Sequence, residues 1–111
     1  LTPFTEKVIQ IIKQIPSGKV MTYGQIASLA GSPRAARQVV RILHSMSKKY
    51  ELPWHRVVNA NGQIAIKDEA NYREQILNLE AEGVEMGLHD EIDLEQFRWE
   101  PTKLLLEKPL E

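Results

Sequence analysis

Pro53-Trp54-His55-Arg56-Val57-Val58 places an indole, an imidazole and a guanidinium at three successive positions. The indole offers a broad apolar face on which an aromatic base can stack. The imidazole can donate or accept a hydrogen bond, or move a proton near neutral pH. On an extended strand neighbouring side chains point to opposite faces, so Trp54 and His55 would serve different sides of the chain. A core tryptophan beside a satisfied histidine fits the same residues, and their types alone leave both uses open.

Ser32-Pro33-Arg34-Ala35-Ala36-Arg37, continued by Arg41, is the second constellation. A helix that enters a DNA groove needs small residues near its start, so that its backbone can approach, and cations for phosphates or bases. This segment supplies both, although an amphipathic helix with solvated arginines has the same composition. Other chemistries are excluded or unsupported. No cysteine occurs among the 111 residues, which removes disulfides, thiolate metal sites and a cysteine nucleophile. His44, His55 and His89 lack metal-ligand spacing, and no glycine-rich phosphate loop is present. The expectation is no metal, no cofactor and no catalytic residue.

The elements that must position these groups follow from periodicity and punctuation. Thr2-Pro3 starts a helix whose inner face is Phe4, Val8, Ile11, Ile12 and Ile15, stopped by Pro16. Lys19 to Met21 is a short extended link. Thr22-x-x-Gln25 has capping-box spacing and opens a two-turn helix, with Ile26, Leu29 and Ala30 inward, that ends at Gly31. Ser32-Pro33 restarts the chain as a third helix to about Ser45, with Ala36, Val39, Val40 and Leu43 as its apolar stripe. Short helix, glycine turn and basic helix make a helix-turn-helix over about 22–45. Lys48 to Leu52 reads as a loop, and Trp54 to Asn59 as a strand. Asn61-Gly62 is a hairpin-turn signal before a returning strand at Gln63 to Ile66, which makes a wing over about 54–67. A helix is expected over roughly Asn71 to Glu82, with Ile76, Leu79 and Tyr72 inward and Gly83 closing it. An acidic tail, 84–111, follows, from which Ile92, Leu94, Phe97 and Trp99 can dock back. The fold class expected is mostly α with a small β-hairpin wing, a winged helix-turn-helix in one domain over 1–111.

Composition is ordinary for a globular chain, 42% hydrophobic and 26% charged, and the length suits a modest core. The net charge of −1 conceals a division. Residues 16–67 hold eight bases against the single acid Glu51, a balance of +7, whereas 68–111 carry −9. One face for a polyanion and an acidic remainder would produce this polarity. No apolar run approaches a membrane span and no secretory leader is evident, which sets the expectation of an intracellular protein. That means cytoplasmic and nucleoid-associated in a bacterium, nuclear in a eukaryote. No extra apolar face suggests dimerisation, so a monomer is expected.

Four ordered motifs carry a resemblance. Gly18-Lys19-Val20-Met21-Thr22-Tyr23-Gly24-Gln25-Ile26-Ala27 resembles the start of the helix-turn-helix in O6-alkylguanine-DNA alkyltransferases. Ala35-Ala36-Arg37-Gln38-Val39 resembles their recognition helix. Pro53-Trp54-His55-Arg56-Val57-Val58 stands where they carry Pro-Cys-His-Arg-Val, and Leu79-Glu80-Ala81-Glu82-Gly83-Val84 is similar to the end of their last helix. Tryptophan at the acceptor-cysteine position marks the alkyltransferase-like proteins, as does Phe97-Arg98-Trp99-Glu100-Pro101. Two stretches depart from the family: His44-Ser45-Met46-Ser47 replaces its small residues and Asn, and 61–68 lacks the Tyr and paired glycines of active enzymes.

The resemblance implies a protein that binds double-stranded DNA, turns O6-alkylguanine out of the stack and flags it for nucleotide-excision repair, with no alkyl transfer. Thr22, Tyr23, Arg34, Ala35, Arg37 and Arg41 would contact DNA. Tyr23 would rotate the nucleotide, and Arg37 would fill the gap it leaves. Trp54, His55, Arg56, Val57 and Lys67 would form the lesion pocket. Indole has no lone pair for nucleophilic attack, in keeping with binding alone. A base at His55 would need an orienting carboxylate, for which Glu74 and Glu80 are candidates. A winged-helix sequence-specific transcription regulator is the alternative, and hydrolysis with His55 as base is a third reading, opposed by the bulk of Trp54.

Overall fold

The computed structural model describes residues 1–104 and 106. Helix α1 spans Pro3–Gln14. The Thr2 hydroxyl accepts from the Thr5 N–H at 3.1 Å, and Pro3 sits where its missing N–H costs nothing. Val8, Ile9, Ile11 and Ile12 are fully buried, and α1 packs on the helix-turn-helix along this stripe. After the Pro16 turn come β1 (Met21–Thr22) and α2 (Tyr23–Leu29), which has the full capping box: Gln25 N–H to Thr22 Oγ1 at 3.1 Å, and Thr22 N–H to Gln25 Oε1 at 3.3 Å. Gly31, at φ +98°, turns the chain.

Helix α3 runs Ala36–Tyr50, displaced toward the C-terminus from the expected Ser32–Ser45. Ser32 is not its cap. Ala35 N–H bonds the Ser32 carbonyl in a separate turn, and no side chain caps α3. At the other end no Gly or Pro interrupts residues 36–50, so the polar run from Lys48 continues the helix to Tyr50 instead of opening a loop. It stops where Glu51 turns left-handed (φ 51°) and Leu52, 4% exposed, bonds back to the Ser47 carbonyl.

Trp54–Arg56 is a single 3-10 turn instead of a strand, so strand alternation does not apply to Trp54 and His55. β2 (Val57–Val58) follows, and its partner corrects the expected hairpin. It pairs in parallel with β1, Met21 opposite Val57 and Thr22 opposite Val58. The Asn61-Gly62 turn does form: Asn59 Oδ1 accepts from the Asn61 and Gln63 N–H groups. Residues 63–66 form no strand, because the Gly62 carbonyl is taken by the Ile92 N–H at 2.8 Å, and a Cβ at Gly62 would strike the Ile92 carbonyl. Val57 and Val58 are fully buried, which suits a strand covered on both faces better than a wet hairpin.

Helix α4 (Glu69–Ala81) starts two residues before the expected Asn71, because Asp68 caps it through the Asn71 N–H. Gly83, at φ +90°, follows its end. Leu79 is buried, Ile76 and Tyr72 are half-buried, and Gln75 is buried unexpectedly. A 3-10 turn at Leu88–Asp90 and the short α5 (Leu94–Phe97) complete the described chain. The tail docks: Ile92 and Phe97 join Val20, Val58, Leu79 and Val84 in a second small core, and Val20 exchanges backbone bonds with Phe97 and Trp99. The fold is thus mostly helical with a two-stranded parallel sheet, and α2, the Gly31 turn and α3 make the helix-turn-helix.

Candidate nucleic-acid interface

The start of α3 presents its cations outward. Arg34, Arg37 and Arg41 are exposed, surround a shallow depression of about 600 Å³ with Ser32, Pro33, Ala35 and Gln38, and join no salt bridge among the described residues. Arg37, Arg41, His44 and Lys48 follow one another at intervals of about one turn, so a single basic stripe runs down the helix. Thr22 differs from the expectation. It is 4% exposed, and its hydroxyl is committed to capping α2. The cap sets Tyr23 at the first position of that helix.

Beside this stripe lies a second cavity of about 510 Å³. Its walls are Tyr23 of α2, Val40, Leu43, His44, Ser47 and Lys48 of α3, Trp54, Ala65 and Ile66, and Asn71, Glu74 and Gln75 of α4. Tyr23 and Trp54 thus meet in one space although they are remote in sequence. Burial pushes the Tyr23 hydroxyl pKa above its ordinary value, so the ring presents a neutral O–H. Val40, Leu43 and Trp54 provide apolar surface, while His44, Lys48 and Glu74 provide charge or polarity at exposed positions.

The other residues expected in the pocket lie elsewhere. Val57 is sealed in β2. His55 and Arg56 turn behind the cavity onto Glu82, just past the end of α4. His55 Nε2 lies 2.8 Å from Glu82 Oε2, and the Arg56 guanidinium donates to the same carboxylate at 2.6, 3.0 and 3.2 Å and to the Ile15 carbonyl at 2.9 Å. The Gly18 N–H donates to Glu82 at 3.1 Å. Burial alone would raise the Glu82 pKa, but the hydrogen bonds from Arg56 and His55, then the Gly18 N–H and the neighbouring imidazole, hold it down at about 2. Glu82 is therefore the carboxylate that orients His55. Glu74 instead lines the cavity, and Glu80 is exposed. Lys67 is exposed next to Ile66, between the cavity wall and the cap of α4, and is not itself a lining residue.

An oriented imidazole is what a nucleophile's base requires. The neighbouring ring, edge-on at 6.4 Å between centroids, is the Trp54 indole, which offers no thiol for that base to activate. Among the described residues no cluster of three or more His, Cys, Asp or Glu is placed to hold a metal.

Residues 3–84 match the family model of the 6-O-methylguanine DNA methyltransferase DNA binding domain. The chain is 47% identical to the DNA base-flipping protein of Escherichia coli over 86% of this chain and 74% of that one. It is similar to the crystal structure of Schizosaccharomyces pombe Atl1 in complex with damaged DNA containing O6-carboxymethylguanine. That match has a TM-score of 0.79 and 38% identity, over 88% of this chain and 95% of that one. It is also similar to the Mycobacterium tuberculosis O6-methylguanine methyltransferase, with a TM-score of 0.60 and 28% identity, over 74% of this chain and 49% of the larger protein.

Proposed function

The chain belongs to the family of the 6-O-methylguanine DNA methyltransferase DNA-binding domain, and from that premise we propose that it recognises alkylated guanine in DNA without removing the alkyl group. One observation carries the reading: Tyr23 and Trp54 share a cavity directly beside a basic stripe whose arginines join no salt bridge among the described residues, in a chain with no thiol to accept an alkyl group. A sequence-reading regulator uses the stripe but has no use for the cavity.

In this reading Arg34 and Arg41 hold phosphates, and Ala35 lets the helix come close to the groove. Turning a base out costs a few kcal/mol of stacking. The Tyr23 ring crowds the nucleotide toward the cavity, and Arg37 fills the vacated gap, which offsets part of that cost. The base then stacks on Trp54, while Lys67 reaches over the mouth as a cation near its π-face. The protein acts as a monomer, and the held lesion is handed to nucleotide-excision repair proteins, because binding alone leaves the alkyl group in place.

The test is a titration of duplexes that differ at one position, guanine or O6-methylguanine, at several salt concentrations. Tighter binding to the lesion, little dependence on flanking sequence and steep salt dependence are expected. Equal affinity for both duplexes would remove the reading and favour the regulator.

A further inference from the structure

The first helix of a helix-turn-helix crosses the DNA backbone. Here that helix, α2, brings no cation to the crossing, because Tyr23-Gly24-Gln25-Ile26-Ala27-Ser28-Leu29 contains no charged residue. Thr22, Gly24, Gln25, Ser28 and Leu29 instead line a shallow depression of about 580 Å³. Pro33 lines both this depression and the arginine-lined one at the start of α3, so the two adjoin. No atom stands within 4 Å of the place a Cβ would take at Gly24, which leaves the first turn of α2 open to close approach.

Arg98, Glu100 and Pro101 of the tail complete the lining. Backbone pairing holds them there. The Val20 N–H donates to the Phe97 carbonyl at 2.9 Å, the Trp99 N–H to the Val20 carbonyl at 2.8 Å, and Gln25 Nε2 to the Trp99 carbonyl at 2.6 Å. Residues 84–102 hold six acids and one cation, Arg98 (histidine counted neutral), and that cation sits where the tail meets the helix-turn-helix. The fold makes little use of its charge. The side chain is 34% exposed, and Nε makes no hydrogen bond. Its ion pair among the described residues, Nη1 to Glu100 Oε1, spans 4.0 Å, beyond hydrogen-bond reach. We infer that Arg98 binds a phosphate of the DNA backbone where the duplex crosses α2, so that the tail supplies the cation that α2 lacks. A guanidinium can hold phosphate oxygens through two parallel N–H bonds. Such a contact is blind to the base and strengthens binding to damaged and undamaged duplex alike. It rests on the DNA binding proposed above but not on the preference for damage. Glu100 opposes it, and at 76% exposure its carboxylate is free to swing aside.

The experiment is a set of fluorescence-anisotropy titrations, over a range of salt, on guanine and O6-methylguanine duplexes. Arg98→Gln, shown folded by circular dichroism, should bind both on the order of tenfold more weakly. The slope of log Kd against log salt should also fall by about one. Arg98→Lys should recover most of that slope, which a merely structural role for the arginine would not produce. Glu100→Lys should strengthen binding to both duplexes. Glu85→Lys makes the same change of charge at an exposed position that lines neither depression nor the cavity, and it should do much less. Unchanged affinity and slope in folded Arg98→Gln overturn the inference, as does a loss confined to the O6-methylguanine duplex. If that variant does not fold, equal effects of Glu100→Lys and Glu85→Lys overturn it. If the unmodified protein shows no preference for damage while Arg98→Gln still lowers the slope, the damage reading falls and the phosphate contact stands. If it binds neither duplex, both fall.

Discussion

Trp54 and Tyr23 stand in an open cavity whose charged and polar side chains, Lys48, His44 and Glu74, have no ion pair or hydrogen bond among the described residues. One residue beyond Trp54, His55 and Arg56 close on Glu82, and that carboxylate takes donors from both of them and from the Gly18 backbone. Two adjacent stretches of the same segment thus divide their work. The cavity keeps its interactions for something that enters. The cluster behind it spends its interactions on the fold, tying the end of α4 to α1, to the turn after α1 and to the segment that carries Trp54. An imidazole oriented by a carboxylate, the arrangement that would serve a thiol, persists here as a clamp.

Breaking the clamp should have the largest effect. Glu82→Ala leaves a guanidinium and an imidazole, 19% and 14% exposed, without their carboxylate. Removal of one partner from such a cluster costs roughly 3–5 kcal/mol. Urea denaturation should show that loss, while the folded fraction keeps its preference for damaged over undamaged duplex. A lost preference at full stability would mean that the clamp belongs to the site. The same carboxyl sets an acid limit. Its folded pKa is about 2 against an ordinary 4.5, so its contribution is fully present above about 4.5 and is lost as pH falls toward 2. The amount is on the order of 3 kcal/mol. Glu82→Gln should flatten that part of the stability–pH curve.

On the cavity side, Trp54→Ala should weaken lesion binding by roughly 1–3 kcal/mol, the scale of one base–aromatic stack. Binding to undamaged duplex should change far less, and an equal loss on both would place Trp54 outside the base site. Arg37→Ala should produce a smaller, differential effect, with lesion affinity falling more than undamaged affinity, whereas Arg34→Ala should lower both alike. Identical factors for the two substitutions would make Arg37 one more phosphate contact.

The smallest expected effect is the most direct test of the comparison. Trp54→Cys puts a sulfur beside His55, but His55 Nε2 is engaged by Glu82, so only Nδ1 is left to reach the thiol, directly or through a water. Residues 61–68, with Gly62 alone and no tyrosine, also lack the Tyr and paired glycines that the resemblance to active enzymes implies. Mass spectrometry after incubation with O6-methylguanine duplex should find little or no methyl adduct. Rapid stoichiometric methylation would show that the clamp is still catalytic machinery and that the cysteine alone was missing.

Much of the site was legible from local patterns. Arginine spacing marked the face of α3, and Trp54 stood out as an aromatic beside a histidine. Glu82 was harder to find, because it lies past the last turn of α4, where helical periodicity no longer says which way a side chain faces. Glu74 and Glu80 satisfied the pattern equally well. His44, Ser47 and Lys48 were missed because a polar run without Gly or Pro reads as a loop or as a helix end. Gln75 left no signal, since a glutamine that follows Arg73 and Glu74 reads as surface.

The sequence by itself determined whatever depends on neighbours within a few positions. The capping box at Thr22, the left-handed glycines at 31 and 83, the stripe of α1 and the turn at Asn61-Gly62 all follow from residue type and short spacing, because their hydrogen bonds close over a single turn. Tertiary structure decided which distant segments compete for the same partners. Buried Val57-Val58 pairs with Met21-Thr22 and not with its own hairpin, the Gly62 carbonyl goes to Ile92, and Glu82 closes on His55 and Arg56. Those outcomes depend on desolvating strands and charges against groups far along the chain, and that free energy is set only when the elements pack together.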